Sequence, residues 1–327
     1  MVVKRTRKAQ NSWLISKHFK KGLILSVLLL FFLGGVKKFI IQWQKGWNIS
    51  SQINLILITQ KESYLVNISP AENQSRIWIF PENWQLEVFG GYGKFWAKGV
   101  AKFAQDEQNS NLLTNTLAVE LGLPIDYWLF VNDKSCQDQN KLKNCLIALS
   151  WYQGFLKKAK VYKGERLDFL KIIFFLKKNN FNWQIHNALQ EGFFEEVKTL
   201  DGFNALVLKK DSWDKLSLSF FVDPLIRNEA IPIGVYNFSN SPGLASIFSR
   251  ILVNSGALVV SVSNKEEEGP ETCLIKIKNP NLIKSRIIKR MTHNFDCPIR
   301  VGEAKEFSDF TDINLYLNDG LFNLTKN

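Results

Sequence analysis

The four cysteines, Cys136, Cys145, Cys273 and Cys297, are the residues whose type and spacing most directly suggest chemistry. Their order favours two local disulfides, Cys136–Cys145 and Cys273–Cys297, although four cysteines allow three connectivities. A zinc site is the alternative. The spacings contain no C-x-x-C, and His293 is the only histidine near them. The sequence therefore favours disulfides, which suit a protein exported into an oxidising compartment.

The motifs of several enzyme classes are missing from the chain. It has no Gly-x-Ser-x-Gly, no His-Glu-x-x-His and no Walker loop. Residues 90–93 (GGYG) are too short a glycine pattern for a dinucleotide site. Of the three histidines, His18 lies in a basic tail, and His186 is better explained as a structural or exposed residue than as a general base. Two acidic clusters, Glu195-Glu196 and residues 266–268, are better explained as turn or surface charge than as the paired carboxylates of a glycosidase.

Residues 22–36 (GLILSVLLLFFLGGV) form an uncharged run that follows a tail without Asp or Glu. Seven cations precede the run: Lys4, Arg5, Arg7, Lys8, Lys17, Lys20 and Lys21. This pattern predicts one transmembrane helix with a cytoplasmic N-terminus, so that the rest of the chain lies outside the cell membrane. The run spans about 22 Å at about 1.5 Å per residue, so flanking lysines and residues 39–41 must extend it across a core of about 30 Å. A cleaved signal peptide and a buried core helix are the alternatives.

The positive charge of the chain is concentrated at its N-terminus. The net charge is +12, and the first 21 residues supply +7 of it. The remainder carries 35 basic and 30 acidic residues, so the predicted exported part is only mildly basic. Contact with inner-leaflet lipid explains the tail with fewer assumptions than contact with DNA. We therefore expect a membrane partner and no nucleic acid.

Apolar patterns after residue 50 predict an α/β architecture. Predicted strands of the first part cover residues 53–58, 64–68, 76–80 and 125–131, and a helix over residues 110–121 ends at Gly122. Residues 141–190 are predicted to be helix-rich, residues 206–221 are ambiguous, and residues 223–230 are predicted to be a linker. In the last part, strands are predicted at residues 231–238, 257–262, 272–277, 298–301 and 313–317. Two helices are predicted between them, one that ends near residue 254 and one over residues 282–292.

The order of these segments resembles a known family of cell-envelope proteins. An anchor is followed by INLILI, a strand leading into IFPENW, a glycine-rich loop with Lys94, a helix, and LGLPIDYWLF. This order is similar to that of the LytR-CpsA-Psr family, most clearly between residues 53 and 131. The last hundred residues are similar to the LytR C-terminal domain, on the residues VYN, Gly243-Leu244-Ala245, Gly256-Ala257 and the final strand from Asp312 to Leu317.

The charge pattern and the resemblance together predict four segments: a tail, an N-terminal single transmembrane helix and two exported α/β domains. They are a basic cytoplasmic tail (1–21), the transmembrane anchor with a juxtamembrane segment (22–47), a diverged LytR-CpsA-Psr-like domain (48–225) and a smaller LytR-C-terminal-like domain (231–327).

Members of this family typically transfer a glycopolymer from a polyprenyl-pyrophosphate carrier to peptidoglycan, using arginines on the pyrophosphate and a carboxylate-held magnesium. The family's Pro-Arg-Asp is replaced here by Pro81-Glu82-Asn83, and an aspartate that usually ends the earlier strand is replaced by Thr59-Gln60. An acid in place of the arginine repels a pyrophosphate. These departures from the family pattern predict a pseudoenzyme, with no residue assigned as catalytic.

Four cations remain as candidate contacts to an anionic ligand: Arg76, Lys94, Lys98 and Arg166. Solvated surface charge is the alternative for each of them. The expected role is binding or assembly in envelope biogenesis, with a cell-wall polymer, a polyprenyl-linked glycan or an envelope protein as partner, and with no cofactor or metal. One alternative is a glycopolymer phosphotransferase that would need Mg²⁺, and another is an envelope-linked regulator of transcription.

Overall fold

The computed structural model describes residues 51–59, 61–107, 109–131, 159–163, 172, 182–199, 201–265 and 269–323. The predicted tail, the predicted transmembrane segment, Cys136, Cys145 and Arg166 lie outside these residues. Among the residues described, none of the helices is both long and apolar enough to cross a membrane. The chain divides into two units, Met1–Asn48 and Ile49–Asn327, and all the elements below belong to the second unit.

A six-stranded mixed sheet forms the first half of this unit. In chain order its strands are β1 (Ile53–Ile58), β2 (Ser63–Ser69), β3 (Gln74–Phe80), β6 (Tyr127–Val131), β7 (Ala159–Lys163) and β8 (Asn182–Asn187). Their spatial order is β7-β6-β1-β2-β3-β8. Strand β1 is parallel to β6 and antiparallel to β2, and all six of its residues are buried. A central strand covered on both faces has an unbroken apolar sequence, which explains INLILI and confirms the predicted strand.

Two helices and a short hairpin connect β3 to β6. The hairpin pairs β4 (Gln85–Glu87) with β5 (Lys94–Trp96), and the helices are α1 (Ala97–Asp106) and α2 (Ser110–Leu121). The Oδ1 atom of Asn109 accepts the backbone N–H groups of Asn111 and Leu112, which caps α2. Helix α2 ends at Gly122 in the left-handed conformation (φ 61°), as the sequence predicts.

The segment after β8 departs from two predictions. It contains the hairpin β9 (Phe194–Lys198) and β10 (Asn204–Leu208), then helices α3 (Lys210–Phe220) and α4 (Pro224–Glu229). The predicted linker at 223–230 is wrong, because Asp223 caps α4 through Leu225 N–H and Pro224 occupies its first turn. The helix-rich prediction for residues 141–190 is wrong where β7 and β8 lie.

A five-stranded sheet with two helices forms the second half. Its elements are β11 (Pro232–Asn237), α5 (Leu244–Asn254), β12 (Leu258–Asn264), β13 (Cys273–Ile277), α6 (Arg286–Phe295), β14 (Ile299–Val301) and β15 (Ile313–Leu317), followed by α7 (Gly320–Asn323). The strand order is β12-β11-β15-β13-β14. The predicted helix 282–292 starts later than expected, because a 3-10 turn (Pro280–Lys284) precedes it and Ser285 caps α6. The mixed α/β fold class is confirmed.

One disulfide joins Cys273 to Cys297, with a sequence separation of 24 residues. It ties the first residue of β13 to the segment that enters β14, and these two strands are parallel neighbours. This pairing confirms the prediction for these two cysteines.

Polar contacts join the two halves into one unit. Before β11, the indole N–H of Trp213 on α3 donates to the backbone oxygen of Leu121, 2.9 Å away, which ties α3 to the end of α2. The guanidinium of Arg250 on α5 binds the carboxylate of Asp214 and the backbone oxygen of Val119 at 2.7 Å. A Cβ atom at Gly122 would lie 2.6 Å from this guanidinium, so a larger residue there would displace the Arg250 side chain.

Glu120 is a buried carboxylate at the end of α2, where its Oε2 lies 3.0 Å from Nζ of Lys210. Burial raises the pKa of this carboxyl by more than Lys210 and Arg250 lower it. The folded state therefore holds a proton on Glu120 more tightly than the unfolded state does. The stability contributed by this group is present at low pH and is lost as the pH rises through the raised pKa.

We expect Glu120→Gln to raise the free energy of unfolding at pH 7, because the amide avoids the cost of burying a charge. The gain should shrink as the pH falls towards the ordinary carboxyl pKa of 4.5. Denaturant unfolding at pH 7 and pH 4 measures both effects, with the exposed Glu107→Gln as control. A destabilised variant at pH 7 would show that the ion pair outweighs desolvation.

Candidate functional site

A groove of about 580 Å³ opens beside the carboxyl end of β3. The turn after β3, helix α1 and the end of β6 supply its walls. The described lining residues are Glu82, Asn83, Trp96, Lys98, Gly99, Lys102, Gln105 and Phe130. The groove thus combines aromatic surface, two lysines and one carboxylate.

Helix α1 places its polar side towards the groove. Lys98, Lys102 and Gln105 recur at spacings of four and three residues and therefore share one helix face. Ala97, Val100, Ala101 and Ala104 are buried in the core. Lys98 is one of the cations predicted from the sequence, whereas Lys102 and Gln105 were not predicted, although their helical spacing from Lys98 places them on the same face.

The turn that carries Glu82 and Asn83 is fixed by backbone hydrogen bonds. The N–H of Trp84 donates to the Pro81 oxygen at 3.2 Å, and the N–H of Leu206 donates to the Asn83 oxygen at 3.0 Å. Trp84 is fully buried and stacks on Phe80, with ring centroids 4.5 Å apart. These contacts hold the two residues that differ from the family pattern at the edge of the groove.

The described lining offers aromatic surface to apolar groups and lysine ammonium groups to anions. Lysine ammonium groups attract phosphate as point charges, whereas arginine binds it in a bidentate fork. No arginine is among the described residues that line the groove. Glu82 is the single carboxylate among the described lining residues, where it stands with two lysines, and carboxylates are the ligands by which proteins usually hold magnesium. No group of three potential metal-ligating side chains occurs within the described ranges.

The hairpin of β4 and β5 carries three exposed aromatic side chains, one of which lines the groove. Tyr92 is 48% exposed, Phe95 40% and Trp96 37%. Phe95 stacks on Phe103 of α1 at a centroid distance of 6.0 Å, and Tyr92 meets the same ring edge-on. Trp96 lines the groove, whereas Phe95 precedes it on the same strand and, because strand side chains alternate between faces, packs against α1 instead.

The four predicted cations are not gathered at one place. Lys98 lines the groove, whereas Lys94 lies on β5 opposite Glu87. Arg76 is 5% exposed and does not line the groove. Its guanidinium donates to the Phe220 backbone oxygen at 3.0 Å and to the side chains of Glu72 and Gln74. Arg166 lies outside the described residues.

Thr59 follows β1, where the resemblance seen in the sequence would place an aspartate, and its side chain closes a turn. Its hydroxyl donates to the Glu62 backbone oxygen at 2.9 Å and accepts the N–H of Glu62 at 3.1 Å. Thr59 is 2% exposed. The residue therefore stabilises the connection between β1 and β2.

Comparisons with known proteins give structural matches only. No protein-family model matches the chain, and no curated protein matches it. A transcriptional regulator from Enterococcus faecalis is similar at 12% identity and a TM-score of 0.39, over 54% of this chain and 89% of that one. A structure of TagT bound to LI-WTA is similar at 10% identity and a TM-score of 0.39, over 52% and 90%. A Bacillus subtilis TagT structure is similar at 9% identity and a TM-score of 0.34, over 52% of this chain and 90% of that one. Values this low carry no functional argument.

Proposed function

We propose that this chain is a membrane-anchored envelope protein that binds an amphiphilic anionic ligand in the groove without turning it over. The ligand class, a polyprenyl-linked glycan or the cell-wall polymer made from it, comes from the resemblance seen in the sequence. One observation carries the non-catalytic part: Glu82 and Asn83 line the groove beside lysines, with no arginine among the described lining residues.

The lining divides into parts that match the two ends of such a ligand. Trp96 and Phe130 offer apolar surface to a polyprenyl chain, while Lys98 and Lys102 offer positive charge to its phosphates. The carboxylate of Glu82 works against the extra negative charge that accumulates on phosphoryl oxygens during transfer. Binding is compatible with this arrangement, whereas stabilisation of a transition state requires more positive charge.

The proposal is tested on the full chain purified in detergent. Mass spectrometry would identify co-purified polyprenyl phosphates, and a polyprenyl-pyrophosphate analogue would be titrated and assayed for magnesium-dependent phosphate release. Saturable binding without turnover supports the proposal. Turnover that is lost in Glu82→Gln would overturn it in favour of a phosphotransferase with a rearranged site. A folded protein that binds neither the analogue nor a native lipid would overturn it as well.

Reversing one charge in the groove should weaken binding of the analogue. We expect Lys102→Glu to raise its Kd at least about tenfold, or about 1.4 kcal/mol, because a carboxylate replaces an ammonium beside the phosphates. Lys215→Glu on the exposed side of α3 makes the same change of charge away from the groove. Equal affinities of the two variants would show that the ligand binds elsewhere.

A further inference from the structure

A second cleft, of about 860 Å³, lies on the face of the five-stranded sheet opposite its buried side. The odd-numbered residues of three strands pack into the core, for example Val235, Ile275 and Leu315. The even-numbered residues point the other way and line the cleft: Tyr236, Leu274, Lys276, Arg300, Asn314 and Tyr316. This alternation follows from the period of two residues in a strand.

Two stacked tyrosines form the centre of this cleft. Tyr236 and Tyr316 are direct neighbours on β11 and β15, and their rings are stacked with centroids 5.5 Å apart and an interplanar angle of 24°. A Cβ atom at Gly234 would lie 2.7 Å from ring atoms of Tyr236, so the tyrosine ring lies back over this glycine. Phe238 adds a third ring, 5.4 Å from Tyr316.

Cations surround the two tyrosines. Nζ of Lys265 lies 5.7 Å from the centroid of Tyr236, and Nζ of Lys276 lies 5.1 Å from that of Tyr316. Arg300 is the cross-strand neighbour of Lys276. Lys276 is paired with Glu306, whereas Lys265 and Arg300 have no carboxylate partner among the described residues.

The floor of the cleft contains a polar group without a partner. Asn314 is 1% exposed, and its amide donates to the backbone oxygen of Glu306 at 2.9 Å. Its Oδ1 atom accepts no hydrogen bond from any described residue. A buried acceptor left in this state costs free energy. A hydroxyl group in the cleft, directly or through one water, would satisfy it.

We propose that this cleft binds an acidic oligosaccharide, whose sugar rings stack on Tyr236 and Tyr316 and whose carboxylate or phosphate groups contact Arg300 and Lys265. Aromatic faces and cations provide these two kinds of contact. Asn314 and the carboxylates of Glu271 and Glu306 then receive sugar hydroxyls. Nucleic acid fits less well, because it offers fewer hydroxyl groups per repeating unit to these three acceptors than a sugar chain does. This inference concerns a second site and stands independently of the groove.

The test uses the full chain in detergent and three defined probes. Titration calorimetry would compare hexagalacturonate, neutral maltohexaose and a single-stranded uridine hexamer. We expect hexagalacturonate to bind most tightly and to lose affinity in 0.5 M salt, where exposed charges are screened. Stronger binding of the uridine hexamer would overturn the proposal in favour of nucleic acid. Equal binding of the neutral and acidic sugars would also overturn it.

Substitutions locate the binding on the protein. We expect Tyr236→Ala and Arg300→Gln each to weaken hexagalacturonate binding at least about tenfold. Gly234→Ala retains the Tyr236 ring but displaces it, and this variant should also weaken hexagalacturonate binding. Phe203→Ala and Arg227→Gln change exposed residues outside the cleft and should leave affinity unchanged. Unchanged affinity in the first three variants, with unchanged thermal unfolding, would overturn the proposal.

Discussion

Replacing Arg290 with Ala is expected to lower the free energy of unfolding by about 3–5 kcal/mol, because it leaves a buried carboxylate without its cation. The Arg290 and Asp126 side chains are 9% and 8% exposed, and their nitrogen and oxygen atoms lie 2.8 Å apart. Arg290 also donates to the Gln52 backbone oxygen at 2.6 Å. The arginine thus binds the start of the first sheet from a helix of the second half.

The remaining hydrogen-bond partners of Asp126 prevent its carboxylate from moving when Arg290 is removed. Its Oδ2 accepts the backbone N–H of Asn54 at 2.8 Å, and its Oδ1 accepts from the side-chain amide of Asn294 at 3.1 Å. The carboxylate is therefore held in place and cannot turn towards water when the arginine is removed. Asp126→Asn retains an acceptor without a charge, so Arg290→Met/Asp126→Asn should recover part of the stability that Arg290→Met loses.

Denaturant unfolding of the full chain, followed by tryptophan fluorescence, measures both effects. Lys289→Ala is the matched control, because this neighbouring lysine on α6 is exposed. It should change stability by no more than about 0.5 kcal/mol. A loss below about 1 kcal/mol in Arg290→Ala would contradict the prediction, since an exposed ion pair would give that result.

The sequence indicated the central elements of the fold because their local patterns were strong. Residues 53–58 formed an unbroken apolar run, and Gly122 stood where an apolar helix had to end. Helix α4 was missed although Asp223-Pro224 is a standard helix start, because the helix is only six residues long. Strand β8 (NWQIHN) was missed because its hydrophobic residues are few and its place at the edge of the sheet requires little burial.

The candidate sites were less predictable, because each is assembled from distant segments. Resemblance drew attention to Glu82 and Asn83, but Lys102 and Phe130 become their neighbours only after β3, α1 and β6 pack together. The second cleft depends in the same way on the pairing of β11 with β15, which brings Tyr236 beside Tyr316 across 80 residues of sequence. Local patterns do not encode such pairings, whose register is a tertiary property.

Removal of the Cys273–Cys297 disulfide is the second change with a large expected effect. The bond closes a loop with a sequence separation of 24 residues, and the loop-entropy relation gives about 3.5 kcal/mol for a loop of this length. The closed loop includes helix α6, so the unfolded chain gains considerable freedom when the bond is absent. We expect Cys273→Ala/Cys297→Ala to lose about 2–4 kcal/mol of stability.

Thiol labelling and unfolding together measure this effect and separate it from lost packing. Both sulfur atoms are buried, so the alanine variant also loses a small packing contribution.

A chain with Cys136→Ala/Cys145→Ala, unfolded with and without reductant, isolates the effect of the remaining bond. Labelling of Cys273 in the unreduced, denatured chain would contradict the pairing, because a disulfide-bonded sulfur has no thiol to react. Equal stability with and without reductant would contradict the loop-closure argument, because the bond would then constrain the unfolded chain too little to matter.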